Sequence, residues 1–347
     1  MAMRRVLLTV SMCMALAACS TQETEIAQPL DGFDLQAHRG GLGLVTESTL
    51  ASFTNALELG VTTLEMDTQI TEDGIAVVTH DRKVSDAKCR DTRPATDNDP
   101  EFPYVGKYVN TLTLAQVRTL NCGVTQLDGY PEQRVATDAE IPTLDEVLDL
   151  VNAYDSPVQL NIETKVEAAA PTETASREQF AHVVLASVGA AGLLDRTTIQ
   201  SFDWGALRAV KEVDPSVRLV ALTEPDFLEV GEPGASPWLG GLDIDEFDGD
   251  PVAAVQSFGA HALSPVQGRP QKGVVGDPDF ELYVTPEMVA SAHAAGIRVV
   301  PWTVDDPATM AALMDMGVDG IITDYPDRLR EVMGERGMAL PEPARVR

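Results

Sequence analysis

Short segments of apolar and β-branched residues recur along this chain, and most are followed by a stretch with helical periodicity. Strands are expected at 35–39, 62–70, 75–79, 158–163, 198–200, 218–222, 262–264, 298–301 and 320–323. Between them, helices are predicted at 47–59, where Leu50, Phe53 and Leu57 share a face, and at 177–189, 205–213, 286–295 and 307–316. Parallel strands need a long crossover, usually a helix, so this alternation restricts the chain to an α/β fold. Repeated so often within one domain, it points to a (β/α)8 TIM barrel, with its chemistry at the C-terminal ends of the strands. A doubly wound open sheet is the alternative, but no Gly-x-Gly-x-x-Gly follows the first strand. About 320 residues beyond the N-terminal leader, in a chain 44% apolar, can bury one large core.

Residues 83–141 break the alternation. They hold Pro94, Pro100, Pro103 and Pro131, several acids and the aromatics Phe102, Tyr104, Tyr108 and Tyr130, with one short helix expected near 114–120. The stretch reads as an insertion after the second strand unit. A second irregular stretch, 224–250, is rich in Gly, Pro and Asp and reads as a loop above the barrel, with no chemistry assigned to it.

Residues 1–18 stand apart from the fold. Arg4 and Arg5 precede an apolar run too short to span a bilayer, and Leu16-Ala17-Ala18-Cys19 fits a lipoprotein signal cleaved before a lipidated cysteine. The expected organisation is a signal peptide over 1–18, a tether over 19–34, a barrel over 35–335 and a tail over 336–347. An ordinary secretory signal with a chance cysteine is the competing reading. Lipidation of Cys19 would place the protein in the bacterial periplasm, touching the envelope membrane only through its anchor. Export also favours a disulfide between Cys89 and Cys122, the two cysteines left beyond the anchor.

The 54 acids against 25 Lys and Arg give a net charge of −29, which becomes −31 once Arg4 and Arg5 leave with the signal. Such a field disfavours nucleic acid and anionic membrane surfaces as partners. An anionic substrate would need a local positive site. Nothing in the sequence sets an oligomeric state.

The chemistry concentrates between His38 and Asp81. Ala37-His38-Arg39-Gly40-Gly41 ends the first strand, Thr46-Glu47-Ser48-Thr49 follows, and Leu64-Glu65-Met66-Asp67 turns Glu65 and Asp67 to one face. Asp73-Gly74 and Thr79-His80-Asp81 close the stretch. Farther on, Asn161-Ile162-Glu163-Thr164-Lys165 adds a third carboxylate, Glu163. Three carboxylates without a cysteine or spare histidine suit a hard divalent cation, Ca²⁺ first and Mg²⁺ as the alternative. Lys165 is either a phosphate contact or a charge partner for Glu163. Arg39 is either a two-pronged phosphate contact or a structural ion pair. Glu47 either orients His38 or Arg39 or favours a helix N-terminus. His182, His261 and His293 read as structural or surface residues, and Ser201 and Phe202 carry no weight.

This ordered set resembles the glycerophosphodiester phosphodiesterase family, with its His-Arg-Gly start, Pro-Glu-Asn-Thr segment, Glu-x-Asp strand and later Asp-Gly…His-Asp. The usual Pro and Asn are replaced here by Thr46 and Ser48. The resemblance covers about Leu35 to Arg330 and implies the same barrel, with an insertion that caps the mouth. Val300-Pro301-Trp302-Thr303-Val304-Asp305 resembles the family's seventh-strand motif, whose Trp lines the glycerol pocket, although Trp302 could equally be packing. The stretch from Gly317 to Pro326 matches the eighth strand and the turn after it, and Asp324 there either bridges or positions nearby groups or, as the first expectation, caps the next helix.

The implied activity is metal-dependent hydrolysis of glycerophosphodiesters to sn-glycerol 3-phosphate and an alcohol. His38 and His80, read as following neighbouring barrel strands, would serve as acid and base. Glu65, Asp67 and Glu163 would hold the metal, and Arg39, Lys165, Trp302 and Glu47 would border the substrate. The alternatives are lysophospholipase D-like action on larger diesters, or a non-catalytic binding lipoprotein on the same fold. No Gly-x-Ser-x-Gly elbow or P-loop pattern is present.

Overall fold

The structure is a computed structural model and describes residues 32–347; the expected signal peptide, Cys19 and most of the expected tether lie outside the described residues. Eight parallel strands form the barrel: β1 (Asp34–Ala37), β2 (Thr63–Ile70), β3 (Gln159–Thr164), β4 (Thr197–Ser201), β5 (Arg218–Thr223), β6 (Ala262–Pro265), β7 (Arg298–Val299) and β8 (Gly320–Thr323). They pair in chain order from β1 to β7, and β8 pairs with β1. Backbone bonds close the ring between β7 and β8, with Asp319 N donating to Val299 O at 2.9 Å and Ile322 N to Pro301 O at 3.0 Å.

A helix follows each strand: α1 (Leu50–Leu59), α2 (Leu144–Ala153), α3 (Arg177–Ala190), α4 (Trp204–Val213), α5 (Pro251–Ser257), α6 (Pro286–Ala294), α7 (Pro307–Asp315) and α8 (Pro326–Glu335). Most begin at a Ser, Thr or Asp whose side chain accepts a free backbone N–H of the first turn, as Thr49, Thr143 and Ser176 do. The first helix starts at Leu50 rather than Glu47. Thr49 is its cap, and Ser48 before it is left-handed at φ 55°, which stops the helix from extending backwards.

Strand alternation sorts the two faces. Leu35, Ala37, Leu64, Met66, Leu160 and Ile162 point out to the helices and join the main core. The opposite face of β1 to β4, lining the barrel, is polar. Asp34 accepts from Gln36, Gln36 and Gln200 both accept from Asn161, and Gln200 donates to Glu65. Each of these side chains is buried, so the ladder satisfies groups that would otherwise be costly to remove from water.

The segment expected at 75–79 is not a barrel strand. Ala76–Val78 is a return arm that pairs antiparallel with the end of β2, Thr68 opposite Val78. The chain turns at Asp73-Gly74, where Gly74 takes φ 81°. The insertion leaves from this arm and returns to α2, so it lies after the second barrel strand and ahead of its helix. It has its own apolar cluster, including Val84, Tyr104, Leu112, Val117 and Leu120, and the expected Cys89–Cys122 disulfide is formed. It docks on the barrel through backbone bonds, Arg134 N to Leu44 O and Thr46 N to Arg134 O. A proline at position 46 could not donate the second bond.

Both ends of the described chain lie at the N-terminal end of the barrel. Asp34 opens β1 there, and Arg345–Val346 pairs with Tyr154–Asp155 just ahead of β3. Arg330 Nη1 donates to Gly60 O and Pro341 O and fixes the intervening tail. Among the described residues no helix is long and apolar enough to cross a membrane.

Candidate active site

The parallel register of β2 and β3 builds the acidic centre. It places Asp67 opposite Glu163 and Glu65 opposite Asn161. One oxygen from each of Glu65, Asp67 and Glu163 lies within 4.8 Å of the others, and all three residues are buried. Glu65 is aimed by two donors, Gln200 Nε2 at 2.7 Å and the Arg39 backbone N–H at 2.8 Å. Burial and the neighbouring Asp67 push Glu65 up to about 7. Burial also drives Glu163 to about 8, with Asp67 and Glu65 adding to it against Lys165. Asp67 goes the other way: burial opposes its charge, but Arg39, His80 and Lys165 hold it far down.

Asp67 Oδ2 lies 3.1 Å from Arg39 Nε as an ion pair, yet the two are not aligned as a hydrogen bond and each lacks another partner. A buried carboxylate oxygen left without a hydrogen bond, inside a cluster of three oxygen donors, fits a hard divalent cation.

His38 and His80 reach this centre by different routes. His38 continues directly from β1 into a short turn, with Arg39 left-handed at φ 52° and Gly40 at φ 82°. A Cβ at Gly40 would come within 2.6 Å of Ser52 Oγ, so a side chain cannot enter there. His38 Nδ1 donates to Asp324 Oδ1 at 2.5 Å. Burial and Arg39 oppose a proton on His38, but the Asp324 carboxylate outweighs them and the net shift is upward. His80 follows the return arm, not a barrel strand, and its Nδ1 donates to Asp81 Oδ1 at 2.8 Å. A third of its side chain is open to the cavity. Its enclosure at the mouth, with Arg39 and Lys165 nearby, pushes it down to about 4.

The cationic residues are tied to the acids. Arg39 pairs with Asp67 and with Glu47, whose Oε2 lies 3.2 Å from Nη1. Lys165 Nζ is 2.9 Å from Glu163 and 3.7 Å from Asp67, so it is a charge partner in this arrangement. Glu47 partners Arg39 and not His38, and it caps no helix. Its other oxygen accepts from Lys88 of the insertion at 2.6 Å. Asp324, expected as a cap, is not one: Tyr325 occupies the N-cap of α8 with no side-chain bond, while both Asp324 oxygens are used by His38 and Tyr130.

Comparison with known proteins agrees with this geometry. The model of the glycerophosphoryl diester phosphodiesterase family matches residues 38–328. The chain belongs to that family. A glycerophosphodiester phosphodiesterase of Caldanaerobacter subterraneus subsp. tengcongensis is 28% identical over 301 residues, covering 87% of this chain and 98% of the relative. A solved structure from Silicibacter pomeroyi, assigned to the same activity, is 29% identical with a TM-score of 0.72, covering 90% and 97% of the two chains. An Oleispira antarctica phosphodiesterase, solved with the product sn-glycerol-3-phosphate, shares the fold at 20% identity and a TM-score of 0.60, with 86% and 96% covered. The chain is therefore an enzyme, a phosphoric diester hydrolase.

In this family member the site opens into a cavity of about 1460 Å³. Trp302 lines it and also packs: its Nε1 donates to Ser264 O at 2.9 Å and its ring meets Phe202 edge-on at 5.2 Å. Phe202, given no weight from sequence, in turn meets Phe227, which stacks on Trp238 at 4.3 Å. The last two come from the irregular stretch 224–250, so that stretch does border the site. Other residues missed from sequence are Gln200, which aims Glu65, and Gln69, which is buried on the cavity wall with both amide atoms unpaired. Gln69 lies two residues beyond Asp67 on the same strand face, and that spacing was a signal available in the sequence.

Proposed function

We propose that this enzyme hydrolyses glycerophosphodiesters to sn-glycerol 3-phosphate and an alcohol by metal-assisted acid–base catalysis. The observation that carries the proposal is the convergence on one cavity of two histidines, each with Nδ1 on a carboxylate, and of Glu65 and Glu163 from a buried carboxylate triad. Glu65, Asp67 and Glu163 would hold one divalent cation, Ca²⁺ before Mg²⁺, since Ca²⁺ tolerates irregular carboxylate-rich sites. When bound, such an ion supplies charge stabilisation to phosphoryl oxygens.

The two histidines take different roles. His38, whose hold on a proton Asp324 strengthens, is the acid that gives its proton to the departing alcohol. His80, neutral at pH 7, is the base that removes a proton from the attacking hydroxyl. Arg39 and Lys165 provide the positive potential that the strongly acidic chain otherwise lacks. The unpaired amide of Gln69 can accept from a substrate hydroxyl or donate to a phosphoryl oxygen. Attack by water and attack by the glycerol 2-hydroxyl through a cyclic phosphate both fit; trapping the cyclic ester by phosphorus NMR distinguishes them.

A second reading, hydrolysis of larger diesters including lysophospholipids, is favoured by the cavity. Its volume exceeds the roughly 300–1,000 Å³ usual for small-molecule sites, and the Trp302–Phe202–Phe227–Trp238 strip offers an apolar wall. Turnover of a panel of glycerophosphodiesters and lysolipids by metal-stripped protein, with each metal restored in turn, tests both. Equal activity without metal overturns the metal's part in the proposal, and no activity on any diester overturns it whole and favours a non-catalytic binding lipoprotein.

The insertion, on this reading, caps the mouth, and Cys19 anchors the protein in the periplasm. Cys19→Ser should release the protein from membranes; wild-type protein found wholly soluble with an unmodified N-terminus overturns the anchor.

A further inference from the structure

The insertion reaches both histidine–carboxylate pairs, and it does so with two chemically different side chains. Tyr130 donates its hydroxyl to Asp324 Oδ2 at 2.8 Å, while His38 uses Oδ1 of the same carboxylate. Lys88 Nζ lies 2.8 Å from Asp81 Oδ2, while His80 uses Oδ1. In each pair the histidine occupies one oxygen and the insertion the other.

We infer that Tyr130 and Lys88 are positioning residues of the reaction, each fixing the carboxylate that orients one histidine. The inference rests on the two-histidine reading above. A carboxylate bonded at one oxygen alone can swing about its Cβ–Cγ bond and carry its imidazole with it; a second bond at the other oxygen fixes its plane. Both positioning groups are themselves held. The Tyr130 ring stacks on Tyr325 with centroids 6.3 Å apart. Lys88 is clamped between Asp81 and Glu47, and the next residue, Cys89, is joined to Cys122. Through Glu47 the same lysine also reaches Arg39, so a chain of alternating charges runs Asp81–Lys88–Glu47–Arg39–Asp67, with His80 hydrogen-bonded to its first carboxylate. The insertion therefore completes the proton-transfer apparatus in addition to bounding the cavity.

The test combines kinetics with nitrogen NMR of the histidine rings in the intact, oxidised protein. Tyr130→Phe removes one oxygen and keeps the ring, so it isolates the hydrogen bond. Tyr130→Phe and Lys88→Gln should each lower kcat about 10- to 100-fold, the range found when groups that orient ligands are removed, with KM changed less than about twofold. Lys88→Arg should recover most of the loss. The His38 ring resonances should move in Tyr130→Phe and those of His80 stay put, with the reverse in Lys88→Gln. In an Asp324→Asn background Tyr130→Phe should cost little more, and in Asp81→Asn the same holds for Lys88→Gln, because a residue that acts through another shows no separate effect.

If the losses multiply in the double variants, or fall on KM alone, or the resonances stay unmoved, the inference is overturned. Tyr130→Phe decides its half whether or not Lys88→Gln folds. Inactive His38→Ala and His80→Ala with fully active Tyr130→Phe and Lys88→Gln would sink this inference and leave the two-histidine reading standing. Fully active histidine variants would sink that reading itself.

Discussion

Asp67 and Glu163 face each other directly across the β2–β3 pairing, and Lys165 lies 2.9 Å from the second and 3.7 Å from the first. One cation therefore serves two carboxylates, with Glu65 as a third acid beside them. Asp67→Asn keeps the shape and removes a charge. It should weaken Ca²⁺ binding by calorimetry about 100-fold or more, beyond the cost of losing an outer-shell partner, and activity should fall with it. Ca²⁺ affinity equal to wild type would remove Asp67 from the metal set.

The histidine roles predict opposite responses to the leaving group. His38→Ala and His80→Ala should each lower kcat on glycerophosphocholine by about 10²–10⁴-fold, the usual contribution of general acid–base catalysis. A nitrophenyl ester needs little protonation on departure, so it should restore His38→Ala and not His80→Ala. Rescue of His80→Ala instead would reverse the roles.

The alkaline limb of the pH–rate profile belongs to His38 in this reading. The Asp324 carboxylate raises His38 against the effects of burial and Arg39. Asp324→Asn removes that charge, so the acid form is lost at lower pH and the alkaline limb should move to lower pH. A limb that moves up or stays put contradicts the assignment.

Away from the site, His261 makes stability depend on pH. Burial, with Lys211 and Arg218 nearby, pushes it down to about 4, while its Nδ1 accepts the Leu219 N–H. A histidine depressed in the folded state contributes stability that is fully present above its unfolded value near 6.5 and is lost as pH falls towards 4. His261→Gln should therefore lose less stability than wild type between pH 7 and pH 5, read from urea midpoints. An equal loss in both proteins counts against it.

The disulfide closes a loop inside the insertion, between cysteines 33 residues apart. By the chain-entropy estimate, such a loop contributes roughly 3–4 kcal/mol. Cys89→Ser with Cys122→Ser should speed hydrogen exchange in 83–141 more than in the barrel strands. Uniform acceleration across the molecule would show that the insertion does not open by itself.

The barrel was legible because its interior is polar near the site: Glu65, Asp67, Asn161 and Glu163 alternate with Leu64, Met66 and Ile162, and period two is visible in one dimension. The return arm reads as a barrel strand in the sequence because Ala76, Val77 and Val78 carry no mark of direction; only pairing with β2 makes them antiparallel. For Asp324 the sequence leaves a positioning role and a cap side by side and favours the cap, because an acid just before Pro326 suits a helix start, whereas the fold uses its two oxygens on His38 and Tyr130. Tyr130 lies 194 residues from Asp324, and Gln200 lies 135 from Glu65. No local pattern reports pairings at that range.

The entry of the chain at Asp34 and the pinning of the tail at Tyr154–Asp155, both at the end of the barrel remote from His38 and His80, give the molecule a direction of display. Whatever is joined ahead of Asp34 therefore meets the barrel at the end opposite its open cavity. A fusion partner at either terminus would likewise sit behind the catalyst and leave the approach to it clear.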